Sequence, residues 1–422
     1  MKSNEKNNQK NNQKSKELQL SAAELEFILS PKAIRERSQK IYQAAADGKT
    51  FFQLHEDKLP RVADYVYQTI QENYPDLKIP FHSRWRHFSV GGINRHQMLQ
   101  QQLKDLAPIE RLRSELDLVV TSVLLDAGAG ADWKFFEASS KQTFSRSEGL
   151  GVASLYWFQS GAFSSVRGKL QADADGLEAL SLEALQTAFQ VSDSNPLMGQ
   201  EGRFQLLKNL ASAVRNQKYF KTPRPGSIAD ELVERHGKSI PATALLEAVL
   251  RGFGSIWPGR LSSNGVNLGD VWHYPEWGSS PSFETLVPIH KLSQWLTYSL
   301  IEPFEAAGFQ IQGINELTGL AEYRNGGLFI DLGVIIPRDP KSLEQSHTPD
   351  HPFILEWRAL TVQLLDRVGE LVQKKLGRTS EEFPLAKVLE GGTWWAGRRI
   401  AKELRPLVGG PPVNIQSDGT VF

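Results

Sequence analysis

The chain contains no cysteine. Disulfides, thiolate zinc sites, iron–sulfur clusters and a cysteine nucleophile are thereby excluded, and the absence is compatible with a reducing, cytoplasmic setting. Net charge is missing too: Lys+Arg and Asp+Glu balance at 48 each. A neutral chain has no global field for nucleic acid or an anionic membrane, so any anion site must be local. No apolar run approaches the roughly twenty residues that a bilayer demands. Residues 1–16 carry almost no apolar side chain. They are expected to form a disordered tail, and with no apolar segment following they do not read as a signal peptide.

What is present is a large apolar complement. Ten tryptophans and 21 phenylalanines in 422 residues can fill the core of one large domain or two ordinary ones. Helical spacing dominates. Ser21 and Glu24 form a capping-box pattern ahead of Leu25, Ile28 and Leu29. Pro108 opens a helical pattern of Ile109, Leu112, Leu116, Val119 and Val123, running up to Gly128. Similar periodicity predicts helices over 177–189, 202–214, 281–302 and 353–375. The one strong strand candidate is Leu328–Ile336, with helix competing. The expected fold is mainly α, multi-helical, with few short strands. The break at Asn195-Pro196 divides it into halves, 17–195 and 196–422, sharing one interface.

Several familiar motifs fail on chemistry. Gly254–Gly259 has the glycine spacing of a phosphate loop but lacks its lysine, and Pro258 removes an amide. Gly128-Ala-Gly130 begins like a dinucleotide fingerprint, yet it follows a helix and Trp133 stands where the third glycine belongs. His347 and His351 have ligand spacing, but Pro349 and Pro352 forbid an ordinary helix there.

Dense polar clusters remain. In Glu322-Tyr323-Arg324-Asn325-Gly326-Gly327 and the following Asp331, paired glycines would admit a ligand to the backbone, and the flanking ions would supply acid, base and anchor. The plainer reading is a turn with an internal Glu–Arg pair. Arg84 and Arg86 flank Trp85, so the arginines could fork onto a phosphate or carboxylate while the indole stacks on a planar ligand or sugar. Snorkelling arginines on a surface segment explain them equally simply. Asp126 and Asp132 bracket small residues; a glycine C-cap followed by an Asp N-cap is the alternative. Arg146-Ser147-Glu148-Gly149 reads as structural. His273 lies in an aromatic and acidic loop, and His290, Lys291 and Gln294 sit in an apolar helix where they need partners.

Together Ser83–Phe88, Leu125–Trp133, His290–Pro303, Glu322–Gly327 and the closing Ser417–Phe422 resemble the uracil-catabolism protein 4 family. The resemblance covers essentially the whole chain beyond the tail. It implies a place in a route in which uracil becomes its nucleotide, the ring opens and urea emerges through a ribosylurea stage. Lys291–Gln294, Glu322–Arg324 and Leu332–Val334 are also similar in order to a segment of the queuosine salvage nucleosidases, which implies a helical, DNA-glycosylase-like fold and cleavage of a ribosyl–nitrogen bond. This chain departs from that segment at its catalytic aspartate, carrying Ser299 there, with Glu302 one turn later.

Ribosyl–nitrogen cleavage needs a carboxylate near the developing sugar cation and an oriented water. Glu322, Asp331 and Glu302, in that order, are the expected catalytic carboxylates. Arg84, Trp85, Arg86, Asp126, Asp132, His273, His290, Lys291, Gln294, Tyr323, Arg324 and Asn325 are the expected substrate contacts. The expected partner is a small ribosyl or ribosyl-phosphate molecule, with no metal or redox cofactor, no nucleic acid and no membrane. A non-catalytic ligand or partner protein, and an amidohydrolase on an earlier ring-opened intermediate, are the alternatives. The oligomeric state is left open.

Overall fold

A computed structural model describes residues 16–126, 128–130 and 132–416. The expected tail before Lys16 and the closing Ser417–Phe422 motif lie outside the described residues. Lys16 itself is in a strand, Lys16–Leu18, hydrogen-bonded in parallel to Leu261–Ser263. The fold is mainly α: sixteen α-helices are described, with strands of only two to four residues in small sheets.

Local signals fix many helix ends. Ser21 and Glu24 do form the capping box. Pro108 occupies the first turn of Pro108–Leu124, a largely buried helix that ends at Leu124 rather than running to Gly128. The longest helix, Pro352–Leu376, begins with a proline in its first turn, ends with Lys374 and Lys375 and is closed by left-handed Gly377. Its apolar faces are buried against Pro31–Ala46 and Leu59–Asn73. Elements from either side of position 195 therefore pack together. Phe52–Leu54 likewise pairs antiparallel with Ile335–Pro337.

Three expected elements differ. The predicted strand at 328–336 is split: its first four residues end the α-helix Tyr323–Asp331, a turn follows, and only Ile335–Pro337 is strand. The cause is Glu322, whose carboxylate accepts the Arg324 and Asn325 amides as an N-cap and starts the helix. The glycine pair is thus intrahelical. A Cβ at Gly326 would lie 2.7 Å from the Trp357 indole, so its smallness serves close packing. The predicted 281–302 helix begins only at Lys291, because Leu286–Pro288 pairs with Val271–His273 and Pro288 disfavours helix at Val287. The predicted 177–189 helix is two short ones, Ala174–Ala179 and Leu182–Ala188, because Leu180 is extended and Ser181 caps anew.

Candidate functional site

A cavity of about 480 Å³ opens where several separated stretches of chain meet. The turn Arg84–Gly92 and the loop after Pro108–Leu124 bring His87 and Asp126. The helix Arg146–Gln159 brings Arg146, Ser147 and Glu148 at its start. The N-terminal end of Lys291–Ala306 supplies Lys291 and Trp295, and Tyr323–Asp331 supplies Tyr323 and Arg324. A π-helical turn, Leu389–Thr393, leads into Trp394–Leu404, which contributes Trp394 and Arg398. Val408, Pro411 and Val413 complete a wall.

Arg84 organises the floor. Its guanidinium is wholly buried and bonds Asp126 Oδ1 at 2.7 Å and Ser122 Oγ at 2.7 Å. The same Nη1 lies 3.4 Å from His87 Nδ1 and 3.3 Å from the Ser147 carbonyl. Burial pushes the Asp126 carboxyl up, and Arg84, Lys291 and Arg203 oppose that rise. Among the described residues, Asp126 Oδ2 has no hydrogen-bond partner. Lys291 is held down by burial, while the charges of Glu322, Asp126 and Asp270 favour its charged form. Its ammonium makes no ion pair within 4.0 Å among the described residues. Glu322 caps its helix and faces the same space. Burial, then Glu322, pushes the Tyr323 hydroxyl up.

Two of the cations that line the cavity sit at or beside left-handed backbone: Arg146 has φ +55°, and His290, just before Lys291, has φ +49°. Such conformations cost on the order of 1–3 kcal/mol and persist where the surroundings fix them. Arg398 pairs with Glu148 at 2.8 Å, and Arg324 donates to the Gly409 carbonyl at 2.8 Å.

Of the expected residues, Asp126, Lys291, Glu322, Tyr323 and Arg324 line this cavity, and Arg84 stands behind Asp126. The others lie elsewhere. Asp331 is locked to Arg405 by two hydrogen bonds of 2.8 and 2.6 Å. Glu302 is taken up by Arg86 and by Ser83 Oγ at 2.8 Å. Both carboxylates are paired with arginines, and neither is among the residues that line the cavity. Trp85 is core, its Nε1 donating to the Ser299 carbonyl at 2.8 Å. Gln294 bonds Thr318, Asn325 donates to the Leu320 carbonyl at 3.0 Å, and buried His290 bonds the Ile28 carbonyl at 3.0 Å. His273 braces the Gly278 carbonyl at 2.8 Å. Asp132 is exposed and precedes a strand, Lys134–Glu137, rather than capping a helix. His347 bonds the Ser342 carbonyl, and among the described residues no cluster of His, Asp or Glu could hold a metal ion.

Sequence reasoning missed His82, His87, Arg146, Glu148, Trp295, Trp394 and Arg398 as cavity residues. The Arg146-Ser147-Glu148 segment reads as structural in the sequence, and His87 and Trp295 fall inside Ser83–Phe88 and His290–Pro303 without standing out as site residues.

A family described as "Protein of unknown function (DUF1688)" matches residues 27–422. "Protein urg3" of Schizosaccharomyces pombe is 40% identical over 406 residues, covering 94% of this chain and 98% of the relative. "Uracil catabolism protein 4" of Lachancea kluyveri is 37% identical over 437 residues, covering 94% and 99%. The chain belongs to this family. Among the described residues no helix is long and apolar enough to cross a membrane.

Proposed function

We propose that this chain acts in uracil catabolism, hydrolysing the ribosyl–nitrogen bond of ribosylurea or its phosphate to release urea. The name of one relative, "Uracil catabolism protein 4", supports the pathway. The bond type is supported by one observation above all: a buried carboxylate, Asp126, with one oxygen on Arg84 and the other unpartnered among the described residues, beside Lys291 and Glu322 in an aromatic-walled cavity.

Departure of a ureido group builds positive charge on the sugar. Asp126 faces that charge and accepts a proton from the attacking water; Arg84 fixes its orientation. Glu322, occupied by two backbone amides, balances Lys291. Trp295 and Trp394 supply apolar lining for the sugar and leaving group, and the exposed Arg146 suits a 5′-phosphate.

The test is to incubate the pure protein with ribosylurea and, separately, its 5′-phosphate, and to assay urea. Release from either supports the reading. Binding without release overturns it in favour of a ligand sensor. A product other than urea favours the amidohydrolase.

A further inference from the structure

The imidazole of His87 is fixed by its neighbours. A guanidinium N–H can only donate, so the 3.4 Å approach of Arg84 Nη1 makes His87 Nδ1 the acceptor and leaves the ring proton on Nε2. Burial, with Arg84, His82, Arg86 and Arg398 around it, holds the ring well below the usual histidine range. The ring meets Trp295 edge-on at 5.9 Å. Its backbone is brought in by Gly151, where a Cβ would lie 2.7 Å from His87 Cβ. His87 lines the same cavity as Asp126. Among the described residues its Nε2 has no hydrogen-bond partner. A neutral donor therefore stands beside the carboxylate, both tied to one arginine nitrogen.

We infer that His87 is a catalytic residue that donates its Nε2–H to the carbonyl oxygen of a departing ureido group. This rests on the ribosylurea reading and narrows the leaving group to one bearing a carbonyl next to the cleaved nitrogen. The C1′–N bond breaks with its electron pair on the ureido nitrogen, and the charge spreads onto that carbonyl oxygen, where Nε2–H meets it. Water adds its oxygen to C1′. Its proton passes to Asp126 and then to the departing nitrogen, so ribosylurea and water give ribose and urea. His87 keeps its proton throughout. Its neutral state matters because a neutral donor stabilises a developing anion without first having to be protonated.

The test compares wild type, H87Q and H87L on ribosylurea. Glutamine can offer a neutral N–H near the Nε2 position; leucine cannot. Loss of one such donor typically lowers kcat by about 10²–10³-fold. H87L should fall by that factor with KM little changed, and H87Q should recover most of it. A second measurement needs no variant: the Nε2–H proton resonance of His87 in the wild-type protein should shift on adding urea. Wild type releasing no urea sinks the ribosylurea reading and this role with it. An active wild type with H87L equally fast, H87Q as slow as H87L, or a resonance indifferent to urea sinks the role alone.

Discussion

Arg84 and Asp126 meet at 2.7 Å with side-chain exposures of 0% and 9%. A carboxylate so buried is normally too costly to keep ionised unless a cation is fixed beside it. Removing one partner from a buried pair typically costs about 3–5 kcal/mol. D126A should therefore melt well below wild type, and D126N, which keeps an acceptor for Arg84, should lose less. Both should lose about 10²–10⁴-fold in urea release. A folded D126N working at the wild-type rate would remove Asp126 from the reaction.

Glu322 offers a different outcome. Its two oxygens receive the Arg324 and Asn325 amides. Glutamine would turn an N–H toward one of those donors. E322Q should thus destabilise the protein by about 1 kcal/mol, the scale of an N-cap, and also weaken binding by disturbing Arg324. Denaturant melts paired with ligand titration would reveal both effects; an unchanged midpoint would mean that the cap carries no weight.

Glu356 predicts a pH dependence. Its carboxyl is buried, accepts the Tyr274 hydroxyl at 2.6 Å and the Phe51 amide at 2.7 Å, and is pushed up to about 7, chiefly by burial. In the unfolded chain this carboxyl titrates at the ordinary glutamate value of 4.5. Between these values the folded state binds more protons than the unfolded one, so stability falls as pH rises through that window. The loss is on the order of 3 kcal/mol by pH 8. E356Q carries no such proton and should flatten the stability profile from pH 5 to 8. If wild type and E356Q show parallel profiles, the prediction fails.

Gly326 and Gly202 make an internal control. Both lie in helices, but a Cβ at Gly202 meets open space, whereas one at Gly326 meets Trp357. G202A should be neutral or stabilising by up to about 1 kcal/mol. G326A should cost about 1–3 kcal/mol through overpacking. Equal midpoints for the two variants would refute the packing account.

These contrasts mark how far the sequence could be read. The Ser21–Glu24 cap and the prolines opening Pro108–Leu124 and Pro352–Leu376 were legible because their signals are local. Gly326-Gly327 misled: glycine allows a turn and also close helix packing, and only Trp357, remote in sequence, decides between them. The same holds for charges. Asp331 looked available because Arg405, its partner, is 74 positions away. Conversely Asp126, Lys291 and Glu322 were visible as unusual ions, but their convergence depends on long-range packing. His87 was hidden because its state is set by Arg84 in three dimensions, not by its spacing.

The cavity wall draws on stretches from His82 to Ile415, each carried by a different element. No fragment of the chain holds a usable part of it. A molecule that binds there therefore binds only the assembled state, and by mass action it stabilises everything at once: about 2.7 kcal/mol at a hundred times its dissociation constant. Thermal-shift screening of small ureides and ribosides thus samples the whole fold, and a hit would move a single cooperative transition rather than a shoulder.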